Sequence, residues 1–177
     1  MNIIIFGPPG AGKGTQSNYI VKKFNLFQLS TGDLLRAEIN KKSDLGNEIS
    51  SIVNAGTLVS DNIINELIEN VIADQKYKNH LIFDGYPRNI TQAENLSNLL
   101  AKHDQKISIV IKLKVSLEVI KKRITGRVVC SICGATYNEF FNPPNKDNMC
   151  CKKENLKKRS DDNIDVATKR YETYEKS

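Results

Sequence analysis

The sequence predicts an α/β fold of three layers, with helices on both faces of a parallel central sheet. Three observations carry that prediction. The apolar run Asn2-Ile3-Ile4-Ile5-Phe6 shows no alternation, as a strand covered on both faces requires. It passes through a glycine-rich turn, Gly7 to Thr15, into a segment with helical spacing. Two later apolar runs, His80 to Asp84 and Ile107 to Leu113, each follow a stretch of helical periodicity, the alternation of a βαβ chain. At 177 residues there is room for one sizeable core with inserted subdomains.

The turn GPPGAGKGT matches the phosphate-binding loop pattern GxxxxGK[ST], with Gly7, Gly12, Lys13 and Thr15 at the required positions. Glycines allow tight backbone geometry, so successive N–H groups face inward and cradle phosphate oxygens. The helix that starts near Lys13 offers its positive dipole end to the same anion. Lys13 adds a mobile charge for the outer phosphates, and Thr15 offers a hydroxyl near Mg²⁺. A chance glycine turn would not require the flanking strand and helix. The loop is therefore expected to bind a nucleotide.

The helix after the loop is expected to run to about Lys23, with Tyr19, Ile20 and Phe24 facing inward. Phe27-Gln28-Leu29 predicts a short strand, and Ser30 or Thr31 a helix cap. Amphipathic helices are predicted over 33–40 and 45–54, the second closed by Ala55-Gly56-Thr57. From Asp61 a further helix carries Ile63, Ile64, Leu67, Ile68, Val71 and Ile72 at helical spacing, a stripe that reads as core.

Asp84 ends the strand His80 to Asp84, at the carboxyl edge where open parallel sheets place ligands. An acidic residue there is positioned to organise Mg²⁺; the alternative is a cap for the helix that begins near Thr91. Between them Gly85-Tyr86-Pro87-Arg88 reads as a turn. Helices are predicted from Thr91 to His103 and from Leu117 to Thr125, the latter carrying Arg123 and ending at Gly126-Arg127. Residues 128–158 lose helical periodicity and form a compact insertion. Ser160-Asp161-Asp162 is expected to cap a last helix with Val166 and Tyr171 on one face.

Hydrophobic residues make up 40% and charged residues 26%, an ordinary globular composition. Met1 leads straight into a strand without a basic n-region, and no apolar run is long enough to span a membrane. The expectation is a cytoplasmic protein with no membrane partner. Net charge is +6. Its lysine-rich pieces (121–123, 152–153, 157–159) lack interleaved aromatic platforms, so they read as solvated faces rather than a nucleic-acid surface. All four cysteines lie between Cys130 and Cys151, too localised for a disulfide framework. Cys130-x2-Cys133, then Cys150, has structural-zinc spacing.

Six motifs in order, GPPGAGKGTQ, STGDLLR (30–36), GTLVSD (56–61), FDGYPRNITQ (83–92), RITGR (123–127) and RSDDN (159–163), resemble the long-lid adenylate kinases over nearly the whole chain. The resemblance implies a P-loop NTPase-like core over 1–29, 60–126 and 162–177, an AMP-binding insertion over 30–59 and a lid over 127–161. It implies reversible Mg²⁺-dependent phosphoryl transfer, ATP + AMP = 2 ADP, by a monomer. A pyrimidine nucleoside monophosphate kinase, or a chain that binds nucleotide with little turnover, are the competing readings.

Carried over by position, Gly10, Ala11, Gly12, Lys13, Gly14, Thr15, Arg127, Thr136 and Tyr137 are implied to meet ATP. Thr31, Arg36, Thr57, Leu58, Val59, Gly85, Tyr86, Pro87, Arg88, Gln92, Arg159 and Arg170 are implied to meet AMP. Gln92 is singled out because an amide pairs with the donor-and-acceptor edge of adenine. Lys13, Arg88, Arg123, Arg127, Arg159 and Arg170 are implied to surround the transferred phosphoryl group, and Asp161 and Asp162 to orient arginines at the lid hinge. Phosphate recognition favours forked, permanently charged guanidinium groups, and an ionised phosphate acceptor needs no strong base.

Lids of this kind commonly bind zinc through a fourth Cys or Asp three residues beyond the third Cys. Here that residue is Lys153. The fourth ligand is then Cys151 in a rearranged geometry, or Asp147 or Glu154, or the site has three good ligands. The resemblance also implies a further strand and helix where this sequence stops in mid-helix, leaving a fragment or a chain completed by a partner.

Overall fold

The computed structural model describes residues 1–54, 59–145, 152–159 and 162–176, the side chain of Asn54 excepted. The chain divides into two compact units, Met1–Phe6 with Gln16–Lys112, and Gly7–Thr15 with Leu113–Ser177.

The first unit is built on a four-stranded parallel sheet of β1 (Asn2–Phe6), β2 (Phe27–Ser30), β3 (Leu81–Asp84) and β4 (Ile107–Lys112), in the order β2-β3-β1-β4. Its register sets Ile5 opposite Asp84 on one side of β1 and opposite Ile111 on the other. Helix α1 (Lys13–Phe24) leads to β2, and α2 (Thr31–Asn40), α3 (Asp44–Asn54), α4 (Asp61–Ala73) and α5 (Ile90–Lys102) complete the unit.

The core joins Ile4, Leu29, Leu81 and Phe83 of the sheet to Ile49 of α3, Ile64, Ile68 and Ile72 of α4, and Leu96 and Leu100 of α5. Ile64, Ile68 and Ile72 recur every fourth residue, so α4 turns one stripe inward as its sequence spacing predicts. Complete burial of a side chain such as Ile68 contributes about 1.5–3 kcal/mol.

At the amino-terminal edge of the sheet lies a buried amide pair. Asn2 donates from Nδ2 to Gln105 Oε1 at 3.2 Å and accepts from Leu81 N at 3.1 Å. Gln105 donates in turn to Ile72 O at 3.0 Å. These bonds fasten the starts of β1, β3 and β4 and give both buried amides partners.

Two expectations change, one for a helix and one for a strand. Tyr19 and Phe24 are 68% and 49% exposed, not inward. Helix α1 buries Ser17, with Ile20 and Val21 half-covered beside it. A small residue at the centre of the covered face brings the helix backbone close, leaving Tyr19 on the opposite face. On β4, the neighbours Ile109 and Val110 are 47% and 57% exposed. Successive strand residues face opposite ways, so both faces of this edge strand are open among the described residues.

The second unit contains the phosphate loop, α6 (Leu117–Thr125), a three-stranded antiparallel sheet and α7 (Ile164–Lys176). The small sheet pairs β5 (Arg127–Cys130) with β6 (Thr136–Asn138) on one side and β7 (Leu156–Lys157) on the other. Ile120 and Ile124 of α6 pack with Ala167 and Tyr171 of α7. The start of α7 differs from expectation: Asn163 Oδ1 accepts from Val166 N at 2.9 Å and supplies the cap. Asp162 is engaged elsewhere, and Ser160 and Asp161 lie outside the described residues. No helix among the described residues is long and apolar enough to cross a membrane.

Candidate functional site

In the second unit the phosphate loop is held open by its glycines and by two cations. Gly10 and Gly12 take φ of +81° and +95°, the region that side chains avoid. A Cβ on Gly10 would also lie 2.9 Å from Ile124 Cγ1 of α6, so glycine is required there twice over. The Pro8 carbonyl accepts from Ala11 N at 3.0 Å, closing the turn. Lys13, the first residue of α1, donates from Nζ to Gly7 O at 2.8 Å and Pro8 O at 3.2 Å. Arg123 donates from Nη1 to Ala11 O at 2.6 Å. Gly14 is half-buried and Thr15 exposed at the helix start. Two positive groups thus sit on the rim of a loop that ends in a helix N-terminus, an arrangement that attracts anions.

The small sheet is tied to α6 through Asn138. Its Nδ2 donates to Arg123 O at 2.7 Å, and its Oδ1 accepts from Phe140 N and Phe141 N at 3.0 and 3.2 Å. Phe141 presents its ring to the Arg123 guanidinium at 5.7 Å. Arg127, at the start of β5, makes a two-pronged bond to Asp162: Nε donates to Oδ2 at 2.8 Å and Nη2 to Oδ1. The Asp162 carboxylate is 1% exposed and Arg127 21%. Thr136 is exposed, whereas Tyr137 is buried. Arg159 and Arg170 are half-buried, the first accepting at its carbonyl from Asp162 N at 3.2 Å.

Cys130, buried at the end of β5, opens a tight turn. Its carbonyl accepts from Gly134 N and its N–H donates to Ala135 O, both at 2.9 Å, with Gly134 at φ +73°. The turn returns the chain with exposed Cys133 at its tip. Cys150, Cys151 and Asp147 lie outside the described residues, and among the described ones no three potential ligands gather. Glu154 lies 3.9 Å from Lys152 in an exposed ion pair.

In the first unit a polar cluster forms at the carboxyl ends of β2 and β3. Ser30 caps α2 by accepting from Asp33 N at 3.3 Å. Thr31, 3% exposed, donates from Oγ1 to Gly85 O at 3.2 Å and accepts from Arg88 Nη2 at 3.2 Å. Arg88 Nε donates to Gly85 O at 2.7 Å. Gln92, 6% exposed, accepts at Oε1 from Arg88 N at 2.7 Å and donates from Nε2 to Asp61 Oδ1 at 2.5 Å. Thr31, Gly85, Arg88 and Gln92, brought together here, are all residues the sequence singles out.

Other expected acceptor residues are placed differently. Arg36 is half-exposed and bonded to Asp33 one turn earlier. Val59 is 8% exposed and belongs to the core. Tyr86 precedes Pro87 across a cis peptide bond and is 1% exposed in that core. Its hydroxyl donates to Asn65 Oδ1 at 2.8 Å and accepts from Asn95 Nδ2 at 3.3 Å, and burial raises its pKa above the usual tyrosine value. Thr57 and Leu58 lie outside the described residues. Asp84 accepts from Gln28 Nε2 at 2.9 Å, while the cap of α5 is Asn89, so Asp84 does not serve as that cap. Sequence reasoning gave Asp61 only as a helix start and the end of the motif GTLVSD, and passed over Asn138. Both act through side-chain bonds across elements, and no local spacing marks them.

A family model described as adenylate kinase matches residues 5–177. An adenylate kinase of Pelagibacter ubique is 52% identical over 174 residues, 98% of this chain and 82% of that protein. Adenylate kinases of Methanosarcina mazei and Caldanaerobacter subterraneus are each 42% identical over 178 residues, covering 99% of this chain and 82% and 80% of theirs.

Proposed function

The chain belongs to the adenylate kinase family, and from that membership we propose that it catalyses reversible phosphoryl transfer, ATP + AMP = 2 ADP. Carrying this reading is one observation: Lys13 and Arg123 are both bonded to carbonyls of a single glycine loop, which keeps two cations at its rim. Charge spread over the equatorial oxygens of a transferring phosphoryl group is what such cations stabilise.

On the donor side, backbone N–H groups from Gly10 to Thr15 cradle the ATP phosphates. Lys13, Arg123 and Arg127 neutralise them, and Arg159 and Arg170 add charge from the segments before and along α7. On the acceptor side, Thr31, Arg36 and Arg88 hold the AMP phosphate and Gln92 reads the base, with 57–59 and 85–87 lining it. An AMP phosphate is already ionised at neutral pH, so no side chain has to remove a proton. The insertion 30–59 closes on the acceptor and the lid 127–161 on the donor, excluding water.

Mg²⁺ bound with the donor phosphates offsets their charge. Hard oxygen donors suit it, and the Thr15 hydroxyl and the Asp84 carboxylate are of that kind. The Cys130–Cys133 turn fits a structural zinc, since it offers two sulfur ligands on one tight loop; Cys150 and Cys151 are the further candidates. Zinc would stiffen the lid without taking part in transfer. We read the protein as a cytoplasmic monomer acting on free nucleotides.

Phosphorus NMR of the chain with ATP, AMP and Mg²⁺ tests the proposal. ADP is expected to form only when AMP is present, and Lys13→Met to abolish it. Loss of ATP without AMP would mean hydrolysis, and preferential use of UMP or CMP would replace the assigned acceptor.

A further inference from the structure

The acceptor cluster contains a lock on one side chain. Gln92 is nearly buried, and both ends of its amide are engaged: the oxygen by the Arg88 N–H, the nitrogen by the Asp61 carboxylate. The opposite amide orientation would set NH₂ against a backbone N–H and oxygen against a carboxylate. Both contacts would turn repulsive, so the hydrogen-bond pattern itself fixes the orientation. Asp61 Oδ2 also accepts from Asn89 Nδ2 at 3.4 Å, and Asn89 Oδ1 accepts from Gln92 N at 2.8 Å. The first residue of α4 is thereby held against the start of α5 from two sides.

We propose that Asp61 is a positioning residue for base selection: by accepting from Gln92 Nε2 it prevents the amide from flipping and so separates 6-amino from 6-oxo purine acceptors. The inference rests on the reading that Gln92 meets the acceptor base.

An amide has two N–H groups and two acceptor positions on its oxygen. With one of each consumed, a single donor and a single acceptor remain, in fixed order. Adenine presents an acceptor at N1 beside a donor at its 6-amino group. Hypoxanthine presents the reverse, a donor at N1 beside an acceptor at O6. A freely rotating amide would serve both bases by turning over. A locked one matches a single order, and the other base leaves polar groups unpaired, which is where strong discrimination originates.

The test compares AMP with IMP, which differs at the 6-position and has no 2-amino group to confuse the result. Asp61→Ala removes the acceptor facing Gln92 and Asp61→Ser leaves only a hydroxyl one bond shorter that stops short of it, and either one decides. The ratio of kcat/KM for AMP over IMP is expected to fall about tenfold, within the usual discrimination of a bidentate base contact, while KM for ATP holds. Asp61→Asn keeps an oxygen facing Gln92 and is expected to retain most of the preference.

An unchanged ratio in Asp61→Ala or Asp61→Ser, with AMP use weakened in Gln92→Ala, would overturn the lock while leaving Gln92 as base reader. Normal AMP use in Gln92→Ala would remove that reading and the lock with it. Equal loss in Asp61→Asn and Asp61→Ala would assign the effect to charge at the helix start and overturn the lock as well.

Discussion

Arg123 reaches from α6 to the Ala11 carbonyl at 2.6 Å, and its own carbonyl is held by Asn138 at 2.7 Å. One residue thus connects the phosphate loop to the turn after β6. Arg123→Ala removes both a loop contact and a cation proposed to meet the phosphoryl group. Loss of one such donor lowers kcat by about 10²–10³-fold, and the lost bond costs about 1 kcal/mol of stability. Arg123→Lys restores charge without the fork and is expected to recover stability better than kcat. Steady-state kinetics beside urea unfolding separates the two effects.

The Arg127–Asp162 pair predicts an asymmetry. Asp162 is the buried member and Arg127 the partly solvated one. Arg127→Ala strands a buried carboxylate and is expected to cost about 3–5 kcal/mol. Asp162→Ala leaves a guanidinium that still reaches water, and is expected to cost about 1–2 kcal/mol, nearer the exposed range. Equal losses in denaturant titrations would mean that burial of Asp162 does not govern the pair.

What the sequence made legible was whatever local chemistry dictates. The glycines at positive φ, the Ser30 cap and the stripe Ile64-Ile68-Ile72 each follow from steric or periodic rules that act within a few residues. Thr31, Arg88 and Gln92 were legible through motif resemblance, and the structure joins them in one bonded cluster. The remaining features depend on distant partners. Asn2 finds Gln105 across the sheet, and Asp61 finds Gln92 across two helix starts. Asn163 takes the cap because Asp162 is committed to Arg127, a choice that spacing alone could not reveal. Tyr19 and Phe24 misled because helical spacing fixes a stripe but not which side of it meets the sheet.

Glu38 predicts an acid-side effect confined to the α2–α3 corner. The Lys41 ammonium, donating at 2.6 Å, holds its carboxyl below the usual value of 4.5; burial opposes this and the Ser43 hydroxyl adds to it. A carboxylate with a depressed folded-state value adds stability above its unfolded value, and that stability is lost as pH falls through the folded one. Glu38→Gln is therefore expected to lower Tm at neutral pH and to converge with the parent chain in acid. Parallel Tm curves down through the carboxylate range would show that Glu38 titrates alike in both states.

The cysteine turn gives the last prediction. Cys130 and Cys133 lie on one loop closed by two backbone bonds at Cys130, so the backbone that carries the two cysteines is set before any metal arrives. Elemental analysis of the purified chain is expected to find one zinc, and Cys130→Ser or Cys133→Ser to remove it and lower Tm. Either substitution should leave the phosphate loop intact, because its bonds come from Lys13 and Arg123. The fourth ligand then follows from comparison. If Cys151→Ser releases the metal while Glu154→Gln and Asp147→Asn do not, the adjacent cysteines both bind. If Glu154→Gln releases it, a hard oxygen completes the site, and its exposed pairing with Lys152 must break to do so. A chain that holds no zinc and loses no stability on chelation would leave the turn to its backbone bonds alone.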